Sequence, residues 1–210
     1  MLFRSIGPNG AGKSTLFDLV TGFEKPDSGD VLFLGKSILG LRPDQINRLG
    51  IGRTFQKLKP FPQMTVEENV MVGLMQHVSQ MNEAREEAHR YLEFVGLIDK
   101  MSVYAHGLST GQRKRLELAR AMASRPKLLL LDEVTGGVDQ KTVPELVSLV
   151  ERLRTEGTTV VLIEHNMKVL MSLADHVVAL HLGQQIAYGR PQEIQAHKQV
   201  IESYLGASYA

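Results

Sequence analysis

The 210-residue sequence contains no cysteine and no tryptophan. Without thiols, a disulfide framework and thiolate metal sites are both excluded, and the composition suits a reducing compartment. Long hydrophobic runs are missing too. Those from Leu128 to Leu131 and from Val160 to Ile163 fall far short of the ~20 residues that span a bilayer. No extended apolar stretch precedes a small-residue cleavage site near Met1, so no secretion signal is expected. A membrane role is expected only through a partner. Neither sign of charge is in excess: Lys and Arg number 24, Asp and Glu 23, for a formal charge of +1. That balance supplies no general attraction to nucleic acid or acidic lipid.

What is present is an alternation of strand-like and helix-like segments. Residues 2–6, 30–34, 127–132, 158–164 and 176–181 read as strands, several apolar on both faces as in a parallel sheet covered by helices. Helical patterns occupy 13–21, 143–154 and 166–173. Such alternation predicts an open, mostly parallel α/β sheet. Between about Thr65 and Ser124 the strand signals vanish. There Thr65 and Glu68 form a capping-box pattern. Residues 82–97 are amphipathic, with Ala84, Ala88, Tyr91, Leu92 and Val95 on one stripe. The expected organisation is an α/β core over 1–56 and 116–210, with a helical lobe over 57–115.

Two stretches carry phosphate chemistry. Gly7, Pro8, Asn9, Gly10, Ala11, Gly12, Lys13 and Ser14 fit the pattern G-x-x-x-x-G-K-[ST]. In that pattern glycines let backbone amides turn inward on phosphate oxygens at a helix N-terminus. Lys13 is expected at the β- and γ-phosphates, and the Ser14 hydroxyl at a Mg²⁺ position. Far downstream, Asp132 and Glu133 end an apolar strand, where open α/β sheets place their ligands. Asp132 suits the Mg²⁺ shell, and Glu133 suits polarising the water that attacks the γ-phosphate. These two stretches alone fit a nucleoside triphosphatase and a kinase equally.

Residues 108–121, LSTGQRKRLELARA, decide between them. They resemble the LSGGQ signature of ABC ATPases, with Ser109, Thr110, Gly111 and Gln112 opening a helix. RTFQ ends at Gln56, similar to the family's Q-loop glutamine, and VVLIEH ends at His165, similar to its switch histidine. Asp139 occupies the D-loop position. The stretches GIGRTFQ, FPQMTVEENV and IEHNMKVLMSLAD resemble ATP-binding subunits of branched-chain amino acid importers. The resemblance implies a P-loop fold that binds ATP and Mg²⁺. ATP is then held by Gly7, Asn9, Gly10, Ala11, Gly12, Lys13, Ser14, Thr15 and Gln56, with Ser14, Gln56 and Asp132 at the metal and Glu133 and His165 catalytic. It also implies a second ATP-binding subunit, identical or related, whose nucleotide meets Ser109, Thr110, Gly111 and Gln112. Transmembrane permease subunits would hold the pair at the cytoplasmic face of the membrane. Nucleic acid is not an implied partner. A soluble, non-transport ABC ATPase and an inactive nucleotide-binding fragment are the alternatives.

The sequence departs from that family at its start. About 30–40 residues that usually precede the loop, with an antiparallel edge sheet and an adenine-stacking aromatic, are largely missing before Gly7. Weak ATP binding is the corresponding expectation, since a base stack is worth about 1–3 kcal/mol. Strand LFRSI is also unusual. Phe3 is expected to point into the core, and the buried Arg4 to find a carboxylate or reach water. Thr110 replaces a usual glycine, and Val134 a frequent proline.

Overall fold

The apolar run over 128–131 is sandwiched between two hydrophobic layers, because successive strand residues point to opposite faces. Leu129 and Leu131 enter one cluster and Leu130 the other. The computed structural model describes residues 1–56, 59–164 and 174–205. Its strands are β1 (Leu2–Ile6), β2 (Leu32–Phe33), β3 (Lys36–Ser37), β4 (Ile51–Arg53), β5 (Leu128–Asp132), β6 (Thr159–Ile163), β7 (His176–His181) and β8 (Gln184–Gly189). The main sheet has the order β4-β5-β6-β1-β7-β8, parallel except for β8, and β2 and β3 form a separate antiparallel pair. The chain thus has a P-loop-type α/β architecture.

Helices cover both faces. On one side, α1 (Lys13–Val20) contributes Phe17 and α2 (Pro43–Leu49) contributes Ile46 to a cluster with Ile38, Ile51, Leu130 and Ile163. On the other, Val160 and Leu162 pack with Leu146, Leu149, Val150 and Leu153 of α6 (Val143–Thr155). This second cluster runs on into α3 (Val66–Leu74), α4 (Met81–Val95) and α5 (Thr110–Ala123). The C-terminal helices α7 (Pro191–Gln195) and α8 (Lys198–Leu205) pack beside β7 and β8.

Local chemistry accounts for the helical stretch. Thr65 Oγ1 accepts from the Glu68 N–H, and Glu68 Oε2 accepts from the Thr65 N–H, so two orphan donors of α3 are satisfied reciprocally. Along α4 the stripe Ala84, Ala88, Leu92 and Val95 is buried, and Gly96 ends the helix at φ +69°. Helix α5 runs unbroken across residue 115 and packs on both β4 and α3. The segment expected as a helix over 166–173 lies outside the described residues.

Strand β1 differs from expectation in two ways. Phe3 faces away from Leu2, half-buried, and stacks on His176 at 5.9 Å, which stacks on Tyr188 at 5.5 Å. Alternation forces this, because Leu2 and Arg4 take the opposite face. Arg4 is 0% exposed, and its guanidinium nitrogens have no hydrogen-bond partner among the described residues. Burial pulls its pKa down, and the charge of Glu164 opposes that pull. Among the described residues, Arg4 thus meets neither the expected hydrogen-bonded carboxylate nor a route to water. Strands β4 and β8 escape sequence reading, the first because it is three residues long and contains Gly52, the second because it is polar.

Leu131 is fully buried in the larger cluster. Its replacement by Ala should cost about 2–5 kcal/mol of stability, from lost transfer energy and the cavity left behind. Urea unfolding measures this, and a cost below about 1 kcal/mol would contradict the central position of β5.

Candidate functional site

Parallel pairing places the C-terminal ends of β1, β5 and β6 side by side on one edge of the sheet. Residues 7–12 leave β1 there and lead into α1. Gly7 has no room for a side chain: an added Cβ would lie 2.3 Å from Leu180 O and 2.8 Å from Ala11 Cβ. The turn between β7 and β8 braces the loop from outside, with the Gly183 N–H donating to Ala11 O at 3.1 Å. Gly12 caps α1 at φ +95° without a side chain. Asn9, Gly10, Ser14 and Thr15 line the exposed side, whereas Ala11 is buried beneath.

Lys13 folds back over this loop. Its Nζ donates to Gly7 O at 2.7 Å and to Pro8 O at 3.0 Å. Burial lowers the ammonium pKa, and the charges of Glu133 and Asp132 raise it, so both acids act electrostatically on Lys13. Asp132 ends β5 with 3% exposure, and its N–H donates to Thr54 Oγ1 at 3.1 Å. Burial is the largest influence on Asp132 and pushes its carboxyl above the usual range, ahead of an opposing pull from Arg53. Glu133 follows in the left-handed region at φ +50°. Its N–H donates to Ile163 O at 2.9 Å, and its Oε2 accepts from Gln56 Nε2 at 3.1 Å. Lys13, Asp132, Glu133 and Gln56 are thus brought together at the ends of β1, β5 and β4.

The signature residues lie at the start of α5. Ser109 Oγ accepts from the Gln112 N–H, and Gln112 Oε1 accepts from the Ser109 N–H. Ser109 and Thr110 are exposed. Gly111 sits against Thr142, which an added Cβ would approach to 2.8 Å. Asp139 caps the same Thr142, accepting from its N–H at 2.9 Å and its hydroxyl at 3.0 Å. Those bonds hold the Asp139 carboxyl below its ordinary range. The signature turn and Asp139 therefore share one neighbour. His165 lies outside the described residues.

Four charged residues at the site were not singled out by the sequence. Arg53 is 8% exposed at its side chain. It donates to Asp18 Oδ1 at 2.5 Å and Thr21 Oγ1 at 3.0 Å, and lies 3.8 Å from Asp132 Oδ2. Its guanidinium also sits 5.1 Å from the Phe55 ring centroid. Glu164 Oε1 accepts from Thr135 N at 2.7 Å and Thr135 Oγ1 at 2.6 Å, tying the segment after the acids to the end of β6. Lys114 and Glu117 reach the site from α5. Burial raises the Glu117 carboxyl, and the bond it accepts from the Phe55 N–H opposes this. The signal available was an Arg two residues before Phe55, and a Lys and a Glu one turn apart on the signature helix.

The raised Asp132 carboxyl binds a proton at pH values where an unfolded aspartate has already lost it. Its contribution to stability is complete below the ordinary aspartate range and is lost as pH rises through the raised value. Asp132→Asn should therefore melt above the wild type at neutral pH, with the gap closing on acidification. Each kcal/mol gained should appear as about 2–4 °C in a chain of this size. A wild type more stable than the variant at neutral pH would reverse the sign.

The model of the ABC transporter family matches residues 4–136, and that of the branched-chain amino acid ATP-binding cassette transporter matches residues 184–210. The BraF protein of Pseudomonas aeruginosa, described as a high-affinity branched-chain amino acid transport ATP-binding protein, is 40% identical over 96% of this chain and 85% of its own length. The LivG protein of Escherichia coli K12, described likewise, is 38% identical over the same shares. Among solved structures, the ADP conformation of MJ1267, an ATP-binding cassette of an ABC transporter, superposes with a TM-score of 0.86. It is 33% identical and is matched over 98% of this chain and 87% of that one. The fold, the loop at the head of α1 and this breadth of similarity agree: the chain belongs to the ABC transporter family, as an ATPase subunit.

Proposed function

We propose that this ATPase powers import of branched-chain amino acids, with Glu133 as the group that polarises the attacking water. The observation that supports this most directly is the meeting of Lys13, Asp132, Glu133 and Gln56 at one sheet edge. In this reading the amides of residues 7–13 and the Lys13 ammonium bind the β- and γ-phosphates of ATP. Lys13 exchanges its bonds to Gly7 O and Pro8 O for phosphate oxygens. Ser14, Gln56 and Asp132 supply only oxygen donors, a set that suits Mg²⁺. When bound, Mg²⁺ neutralises charge on the phosphate oxygens. Glu133 accepts a hydrogen bond from the water and orients it in line with the phosphorus. His165 belongs to the same reading by its sequence position.

A second ATP-binding subunit, identical or related, completes each site with its own Ser109, Thr110, Gly111 and Gln112, and with Asp139 beside them. The exposure of Ser109 and Thr110 supports this arrangement. Permease subunits are the membrane partners, holding the chain at the inner face of the membrane. Among the described residues no helix is long and apolar enough to cross a bilayer. A groove of about 500 Å³ between α2, α3 and α5 includes Arg53 and Phe55, three residues and one residue before Gln56 in the chain. A permease segment seated there would press on the backbone that carries Gln56.

Glu133→Gln should lower ATP turnover by about 10²–10⁴-fold while leaving ATP binding nearly intact, since only the acid-base role is removed. Steady-state hydrolysis and calorimetry on the purified chain measure the two quantities. A wild type that hydrolyses ATP no faster than the variant would sink the assignment of Glu133.

A further inference from the structure

Helix α5 carries two charged side chains that packing alone does not call for. Lys114 is 5% exposed and Glu117 9%, and their neighbours Leu116, Leu118 and Ala119 are buried apolar residues. Positions 114 and 117 lie one turn apart on the same helix face. A buried charge is unfavourable unless a partner meets it, and apolar groups of similar volume would often serve folding better. Here each charge meets a backbone group. Lys114 Nζ donates to Glu133 O at 2.7 Å, and Glu117 Oε1 accepts from the Phe55 N–H at 3.0 Å.

The two backbone groups belong to segments whose side chains touch. Glu133 and Gln56, the residue after Phe55, are joined by the 3.1 Å bond from Gln56 Nε2. The Glu133 peptide is held in an unusual way, with φ at +50° and its carbonyl shared between Lys114 and the Gly136 N–H at 3.1 Å. A left-handed glutamate persists only when its surroundings hold it there. One turn further along α5, Arg120 Nη1 donates to Lys59 O at 2.7 Å. A single helix therefore grips the strand-β5 exit and the segment after β4 from the same face.

We propose that Lys114 and Glu117 are positioning residues for ATP hydrolysis, fixing from α5 the two backbones that present Glu133 and Gln56 to each other. The proposal rests on the roles given above to those two residues. It adds a mechanical consequence. The helix that opens with Ser109 is tied to the acid of its own chain, so a tilt of α5 moves Glu133 and Gln56 together. Engagement of the signature turn by a partner's nucleotide would then reach this chain's own site through two buried hydrogen bonds.

The test uses the purified chain with Lys114→Met, Lys114→Arg, Glu117→Leu and Glu117→Gln. Lys114→Met should lower kcat by about 10- to 100-fold, as expected when a reacting group is displaced by about 1 Å. ATP affinity by calorimetry and KM should stay within about threefold of wild type, as for a change outside the binding contacts. Lys114→Arg keeps a donor and should recover most of the loss. Hydrogen exchange gives a readout independent of turnover: the Phe55 amide should exchange faster in Glu117→Leu and not in Glu117→Gln. A wild-type kcat in Lys114→Met would overturn the proposal. So would a joint fall of kcat, ATP affinity and Tm that Lys114→Arg does not rescue. Failure of the underlying reading looks different, because the wild type itself would then turn over no faster than Glu133→Gln.

Discussion

Parallel pairing of β1 with β6, and of β6 with β5, is the constraint on which the site depends. The register Ser5↔Ile163 and Asp132↔Ile163 sets the exit of β1 and the end of β5 on either side of one residue of β6. Without it, the glycine loop and the two acids would be unrelated parts of the chain. Packing then fixes what pairing begins. Gly7 lies against the backbone of β7 so tightly that no side chain fits, and the loop cannot lift away without opening that contact. The helices on both faces keep the strands in register by burying the alternate residues of β5 in separate clusters.

Around that frame the chain keeps several charges out of water. Arg53, Asp132, Lys114, Glu117 and Lys13 are all largely buried, and each meets an opposite charge or a backbone dipole. Such groups contribute little to stability on balance, because desolvation offsets attraction. Their value lies in direction. A buried guanidinium flanked by Asp18, Thr21 and Asp132 can sit in only one way, and the carboxylates it touches inherit that order. Arg4 is the exception, desolvated without a hydrogen bond among the described residues and opposed by the charge of Glu164.

The parts legible in the sequence were those written in neighbouring residues. The glycine pattern before Lys13, the capping box at Thr65 and Glu68, and the apolar run of β5 each declare themselves within a few positions. Short or polar strands did not, since β4 and β8 carry no apolar alternation long enough to read. Long-range pairs were also hidden. Glu117 and Phe55 are 62 residues apart, and Arg53 and Asp18 are 35 apart, so nothing local marks them as partners. Phe3 departs from expectation for a related reason: which way it faces is settled by the pairing of β1 with β6 and β7, not by β1 itself.

The left-handed backbone at Glu133 carries one more implication. Glycine or asparagine would occupy that conformation with less strain than glutamate does. Selection acting on fold durability alone would let position 133 drift toward those residues, whereas a carboxylate held there for turnover, the role proposed for Glu133, resists the drift. Thermal robustness and chemical competence are set against each other at a single peptide unit, so a hardier descendant of this chain could be an idle one.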